Sequence, residues 1–137
     1  MPKSQIFSRK RFKNNVKNLI ETCYPKLAKE TVQIEQIRPG NGKDYPVRGD
    51  RVTVHYTGIF EDGKIFDTSL KKSRPFTFRV GMGKVIKGWD FAIPQISVGE
   101  ITKLTVQPEY GYGTKGAPPK IPGNAVLIFE IELLSIG

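Results

Sequence analysis

The segment Lys84-Val85-Ile86-Lys87-Gly88-Trp89-Asp90-Phe91 constrains the fold more than any other stretch of the chain. It carries the only Trp. Gly81 and Gly83 lie just upstream, where the backbone is free to turn tightly or to approach a ligand closely. From Lys87 the spacing becomes helical, with Ile86, Trp89, Ile93 and Ile96 near one face. Pro94 lacks an amide hydrogen and restricts Ile93, so this helix should tighten or end early. The segment therefore reads as a strand, a glycine turn and one short helix that carries Trp89 toward an apolar centre. On residue type alone, a lone Trp is first of all a core anchor.

Most of the remaining chain alternates as strands do. Thr31 to Ile37 places Val32, Ile34 and Gln36 opposite Gln33, Glu35 and Ile37. Val52, Val54 and Tyr56 share one face of the next strand. Glu61-Asp62-Gly63-Lys64 predicts a hairpin with Asp-Gly at its tip, returning through Ile65, Phe66 and Asp67. Pro75 opens a strand that aligns Phe76, Phe78 and Val80. Ile101, Lys103, Thr105 and Gln107 lie opposite Thr102, Leu104 and Val106 in a further strand, and Ala125 to Ile136 is the last one. Residues 108–124 are too dense in glycine and proline for a regular element and predict a long functional loop. Many strands and one core helix give an α+β class, with an antiparallel sheet packed on that helix.

The residue inventory excludes much chemistry. His55 is the only histidine and sits mid-strand, so Ser-His-Asp and Cys-His catalysis would hang on it alone, and a structural role is expected. Cys23 is the only cysteine, which removes internal disulfides and His/Cys metal clusters and points to a reducing compartment. In Gly81-Met82-Gly83-Lys84, Val85 stands where a phosphate loop needs Ser or Thr. No metal and no cofactor is expected. What remains is aromatic and apolar side chains from different elements, as a pocket or an ordinary core would have.

The net charge of +9 is uneven. Residues 1–30 hold eight Lys/Arg and two Glu, leaving +3 for residues 31–137. Lys10 to about Cys23 has the spacing of an amphipathic helix. This segment is expected to be either a solvated extension, a dock for an acidic partner, nucleic acid or anionic membrane, or a nuclear or mitochondrial targeting patch. There is no apolar run long enough to span a bilayer and no apolar signal region at the N-terminus, so a cytoplasmic site is expected, with nucleus and mitochondrion as alternatives.

Six motifs in order carry a family resemblance. They are Val54-His55-Tyr56-Thr57-Gly58, Lys64-Ile65-Phe66-Asp67-Thr68-Ser69, Pro75-Phe76-Thr77-Phe78, Val85-Ile86-Lys87-Gly88-Trp89-Asp90, Gly111-Tyr112-Gly113 with Ala117-Pro118-Pro119-Lys120-Ile121-Pro122, and Leu127 to Leu134. Together they resemble an FKBP-type peptidyl-prolyl cis-trans isomerase from about Thr31 to Gly137. The resemblance implies a strongly twisted sheet of about five strands wrapping the helix. It divides the chain into a basic extension, residues 1–30, and an isomerase domain, residues 31–137.

The resemblance also implies an apolar pocket for a prolyl ring. Trp89 forms its floor, and Tyr56, Phe76, Val85, Ile86 and Phe129 its walls, with Phe66 and Ile121 completing the lining. The Ile86 N–H and the Tyr112 hydroxyl donate to substrate carbonyls. Asp67 holds Tyr56 or faces the twisting carbonyl, with turn capping ahead of Thr68-Ser69 as the structural alternative. Tyr56, Asp67, Trp89, Tyr112 and Phe129 are the residues implied to act in catalysis. The implied partners are proline-containing peptides and proteins, tacrolimus and rapamycin, and calcineurin or the TOR kinase through a drug complex. A monomer is expected. The rival expectation is an FKBP-like binding or chaperone module tethered through residues 1–30. The sequence departs from the family pattern at Lys84, Ala117 and Lys120, where some members carry an acid or amide, a His and an Ile. The Ala117-Pro118-Pro119-Lys120-Ile121-Pro122 form bears on the loop's partner choice and peptide preference, because that loop borders the pocket in the family.

Overall fold

The computed structural model describes residues 31–137, and the basic segment with its expected amphipathic helix lies outside them. The described chain runs β1 (Val32–Arg38), β2 (Arg51–Phe60), β3 (Ile65–Thr68), β4 (Phe76–Arg79), α1 (Lys87–Ala92), β5 (Ile101–Val106) and β6 (Leu127–Ile136). Single 3-10 turns follow α1 and β5, at Ile93–Gln95 and Pro108–Tyr110. None of the helices among the described residues is long and apolar enough to cross a membrane.

The six strands form one antiparallel sheet in the order β1-β5-β6-β2-β3, with β4 also paired to β2. The sequence motifs imply about five strands, and the count of six has a simple origin. β4 pairs with Arg51–Val54 and β3 with Thr57–Ile59, so the two short strands share one edge of β2. The turn-rich segment between them interrupts what would otherwise be a single fifth strand. Asp62-Gly63 closes the β2–β3 hairpin as its sequence predicts, with Gly63 at φ 91° and its N–H on the Phe60 carbonyl.

Alternation sets the core. Val52 and Val54 of β2, Thr102, Leu104 and Val106 of β5, and Leu127, Phe129, Ile131 and Leu133 of β6 are buried on the face that meets α1. β1 is an edge strand and departs from this rule: only Val32 is buried, while Ile34 and Ile37 are exposed.

Burial of α1 extends beyond the face read from the sequence, on which Trp89, Ile93 and Ile96 are buried. Gly88, Trp89, Asp90, Phe91 and Ala92 are all buried, because the helix is covered on more than one side. Gly88 lies against Val106 of β5, Phe91 meets the Tyr110 ring edge-on at 6.5 Å, and Asp90 is capped by the glycine turn that precedes the helix. A helix enclosed this way is buried on several sides, and its one buried charge, Asp90, is satisfied by backbone N–H groups. Pro94 acts as expected: α1 stops at Ala92 and the chain tightens into a 3-10 turn closed by Ile96 N–H to the Ile93 carbonyl.

Residues 108–124 hold no strand or long helix, yet they are bonded to themselves. Gly113 N–H donates to the Pro108 carbonyl, Gly116 N–H to Tyr112, Asn124 N–H to Gly113, and Ala117 and Ile121 exchange a pair of bonds. This backbone network fixes where Tyr112 and Ile121 stand.

Candidate active site

Trp89 is carried by α1 to the centre of an aromatic box contributed by three strands. Its ring lies edge-to-face with Tyr56 of β2 at 5.2 Å and with Phe129 of β6 at 5.3 Å. Phe76 and Phe78 of β4 complete the surround at 6.2 and 5.7 Å. Such perpendicular pairs are favoured by the ring quadrupoles and hold the indole in one orientation. Phe66 of β3 then packs on Phe129 at 5.7 Å. Gly58 makes that approach possible, since a Cβ there would sit 2.6 Å from Phe66 Cζ. Trp89 Nε1 is the buried side-chain polar atom without a hydrogen-bond partner among the described residues.

Above this box opens a cavity of about 380 Å³, within the usual range of small-molecule sites. All of the site residues named from the sequence border it: Tyr56, Phe66, Asp67, Phe76, Val85, Ile86, Trp89, Tyr112, Ile121 and Phe129. Three more lining residues, Lys84, Ala117 and Lys120, are the positions at which the sequence departs from the family pattern. Val85 and Ile86 enter just ahead of α1, Ile86 with extended backbone at φ -61° and ψ 154°. The Ile86 carbonyl takes the Trp89 and Asp90 N–H groups at 3.0 and 3.3 Å, while no described residue accepts from the Ile86 N–H.

Polar geometry at the rim is centred on Asp67. The Tyr56 hydroxyl donates to Asp67 Oδ2 at 2.6 Å, and Lys72 Nζ lies 3.3 Å from Oδ1. Partial burial raises the Asp67 pKa, but the hydrogen bonds from Tyr56 and Lys72 and the charges of Lys72 and Lys120 outweigh it and hold the carboxyl below its ordinary value. Burial, the Asp67 hydrogen bond and the Asp67 charge push the Tyr56 hydroxyl well above its ordinary value. Burial and Asp67 raise Tyr112 in the same direction. The turn that follows is capped by Thr68, whose Oγ1 accepts from the Leu70 N–H at 3.3 Å.

Two further residues support the site from behind. Ser69 is buried, and its Oγ accepts the Tyr56 N–H at 2.8 Å while lying 2.8 Å from His55 Nδ1. His55 is thus part of a latch on the β2 backbone. Asp90 is a supporting residue that the sequence pattern does not single out. Its carboxylate accepts from Gly81 N–H at 2.8 Å and Gly83 N–H at 3.0 Å, both glycines having positive φ. The signal available was an acidic residue in a buried helix a few positions after a Gly-x-Gly turn, and it was masked by the stronger Trp beside it.

Residues 42–134, more than half of the chain, match the FKBP-type peptidyl-prolyl cis-trans isomerase family. This chain belongs to that family. It is 57% identical over 98 residues to FK506-binding protein 1A of Aspergillus fumigatus, covering 72% of this chain and 88% of the relative. It is 49% identical over 105 residues to the peptidyl-prolyl cis-trans isomerase of Schizosaccharomyces pombe, covering 77% and 94%. The crystal structure of AtFKBP13 superposes with a TM-score of 0.73 at 37% identity, covering 77% of this chain and 93% of the other. The FKBP-type chain is accordingly a peptidyl-prolyl cis-trans isomerase, and its described residues have the antiparallel sheet and short α-helix of that family.

Proposed function

We propose that the cavity over Trp89 is the site where this isomerase seats the prolyl ring of its substrate. The observation that carries this is the apolar box itself: an indole floor, aromatic walls from three strands, and an Ile86 N–H from which no described residue accepts. An Xaa-Pro bond resists rotation because amide resonance must be broken, at a cost near 18–20 kcal/mol. The planar amide is more polar than the twisted one, so a site with few polar contacts favours the twisted state. Bringing an uncatalysed time of ~10–100 s to milliseconds requires removing about 5.5 kcal/mol from the barrier. Desolvation on Trp89 and hydrogen bonds from the Ile86 N–H and the Tyr112 hydroxyl supply that stabilisation. Tyr56, held by Asp67, and Phe129 keep the twisting bond in register.

The same cavity is the proposed site for tacrolimus (FK506) and rapamycin. Support comes from relatives named FK506-binding proteins that share about half of this sequence. The drug complex would present a composite surface to calcineurin or to the TOR kinase, an extension supported by family membership alone. Residues 1–30 are proposed as a separate basic segment, outside the region matched to the family, that tethers the isomerase to an acidic or nucleic-acid partner in the cytoplasm.

The test is the cis-to-trans rate of a short Leu-Pro peptide with and without rapamycin, on wild type and Trp89→Leu. Strong acceleration abolished by rapamycin, and greatly reduced in a folded W89L protein, is the expected result. Full activity in W89L would remove the prolyl ring from this cavity.

A further inference from the structure

The walls of the cavity are apolar, but its rim is charged. Among the described residues, Asp67, Lys84 and Lys120 are the charged ones that border it. Asp67 is already matched, with Lys72 3.3 Å from one oxygen and the Tyr56 hydroxyl on the other. Lys84 and Lys120 form no ion pair with a described residue, and both are exposed. They reach the cavity from two separate segments, one ahead of α1 beside Val85 and Ile86, the other in the loop after β5 beside Ile121. With Asp67 and Lys72 cancelling, the rim keeps two unmatched positive charges. Lys120 also adds its charge to that of Lys72 and to the Tyr56 hydrogen bond in lowering the pKa of Asp67 at the rim.

We propose that this site selects prolyl peptides that carry an aspartate or glutamate next to the proline, with Lys84 and Lys120 as the specificity-determining residues. The proposal rests on the assignment of the cavity over Trp89 to the prolyl substrate. The proline ring enters the aromatic box, and the residues on either side of it must leave past a lining that includes both exposed lysines. A carboxylate there is attracted and an ammonium repelled. Both lysines are solvated, so each contributes modestly: about two- to threefold in kcat/KM at low ionic strength. Acting together on substrates of opposite sign, they should separate Glu from Lys peptides by about tenfold or more, a gap that shrinks as added salt shortens the Debye length. Lys84 and Lys120 also have long apolar stems, and were these only to extend the pocket wall, substrate charge would not matter.

The experiment measures kcat/KM for matched peptides with Glu, Leu or Lys before the proline, and a second set with the same residues after it. Wild type, K84Q/K120Q and K115Q are compared at low and high salt; Lys115 is an exposed lysine of the same loop that does not line the cavity. The expected result is a Glu-to-Lys ratio of about ten in at least one set at low salt, falling to about two near 0.5 M salt, where the Debye length is about 4 Å. K84Q/K120Q should bring the ratio close to one, and K115Q should leave it as in wild type. Equal rates for Glu and Lys peptides, or a ratio unmoved in K84Q/K120Q, would overturn the selectivity while acceleration of the Leu peptide preserved the isomerase site. Acceleration of none of the peptides would overturn both.

Discussion

Asp67 stands opposite Gly58 in the β2–β3 register, which places its carboxylate diagonal to Tyr56, and the Tyr56 hydroxyl donates to it at 2.6 Å. A carboxylate on one strand thus fixes the phenol that walls the cavity on the next. Tyr56→Phe keeps the ring and removes the bond. Asp67 retains Lys72 and remains partly solvated, so the fold should lose less than about 1 kcal/mol. Catalysis should suffer more than stability, with kcat/KM for a Leu-Pro peptide falling about three- to tenfold. A peptide assay together with urea unfolding separates the two effects. Equal activity of the two proteins would mean that the bond positions nothing.

The same pair predicts the pH response. Asp67 has its folded pKa depressed below the ordinary 3.8, so its contribution to stability is full above that value and is lost as pH falls through the folded pKa. Tyr56 has its folded pKa raised above 10.0, so its contribution is full below 10.0 and is lost as pH rises through the folded value. Between about pH 5 and 9 the pair therefore keeps one protonation state. The rate profile of wild type should show no step assignable to the pair across that window. In Asp67→Asn the decline of stability below about pH 4 should be shallower than in wild type, read by urea unfolding at pH 3 and pH 7.

Much of this site is legible in the sequence because its parts are local. The Asp-Gly tip fixes the β2–β3 hairpin, and period-two alternation fixes which side of β5 and β6 faces inward. Pro94 ends α1 where its missing N–H requires. What is not legible depends on elements far apart in the chain. The burial of α1 on several sides arises from Val106, Tyr110 and the Gly81–Gly83 turn, and a helical period cannot report neighbours of that kind. The same is true of Asp90, whose partners are backbone N–H groups carrying no side-chain signal, and of Lys84 and Lys120, which share one cavity only after folding.

Asp90 yields a prediction of its own. Its carboxylate is the fastening of the turn that leads into Val85 and Ile86, and it is 7% exposed. Asp90→Ala would leave two N–H groups without their acceptor and should cost about 2–3 kcal/mol in unfolding free energy. Asp90→Asn retains one acceptor oxygen and should recover part of it. In both variants KM should rise more than kcat falls, because the segment that carries the Ile86 N–H is loosened while the Trp89 box is intact. A stability loss with unchanged KM would make Asp90 a purely structural residue.

Two glycines separate packing from pocket shape. In an exposed helix, replacing an interior glycine by alanine stabilises by about 1 kcal/mol. At Gly88 the sign should reverse. A Cβ there would lie 2.8 and 3.0 Å from the two methyl groups of Val106, which is fully buried and stiff at χ1. Gly88→Ala should therefore destabilise by about 1–3 kcal/mol. At Gly58 the new Cβ would meet Phe66 Cζ at 2.6 Å and Phe129 Cε1 at 3.1 Å. Phe66 is only partly buried and its ring can swing into the cavity, so Gly58→Ala should fold with a smaller penalty but a reshaped wall. Denaturant unfolding should rank G88A as the less stable variant, and rapamycin affinity should rank G58A as the weaker binder. The reverse order on both measurements would show that Val106 yields and Phe66 does not.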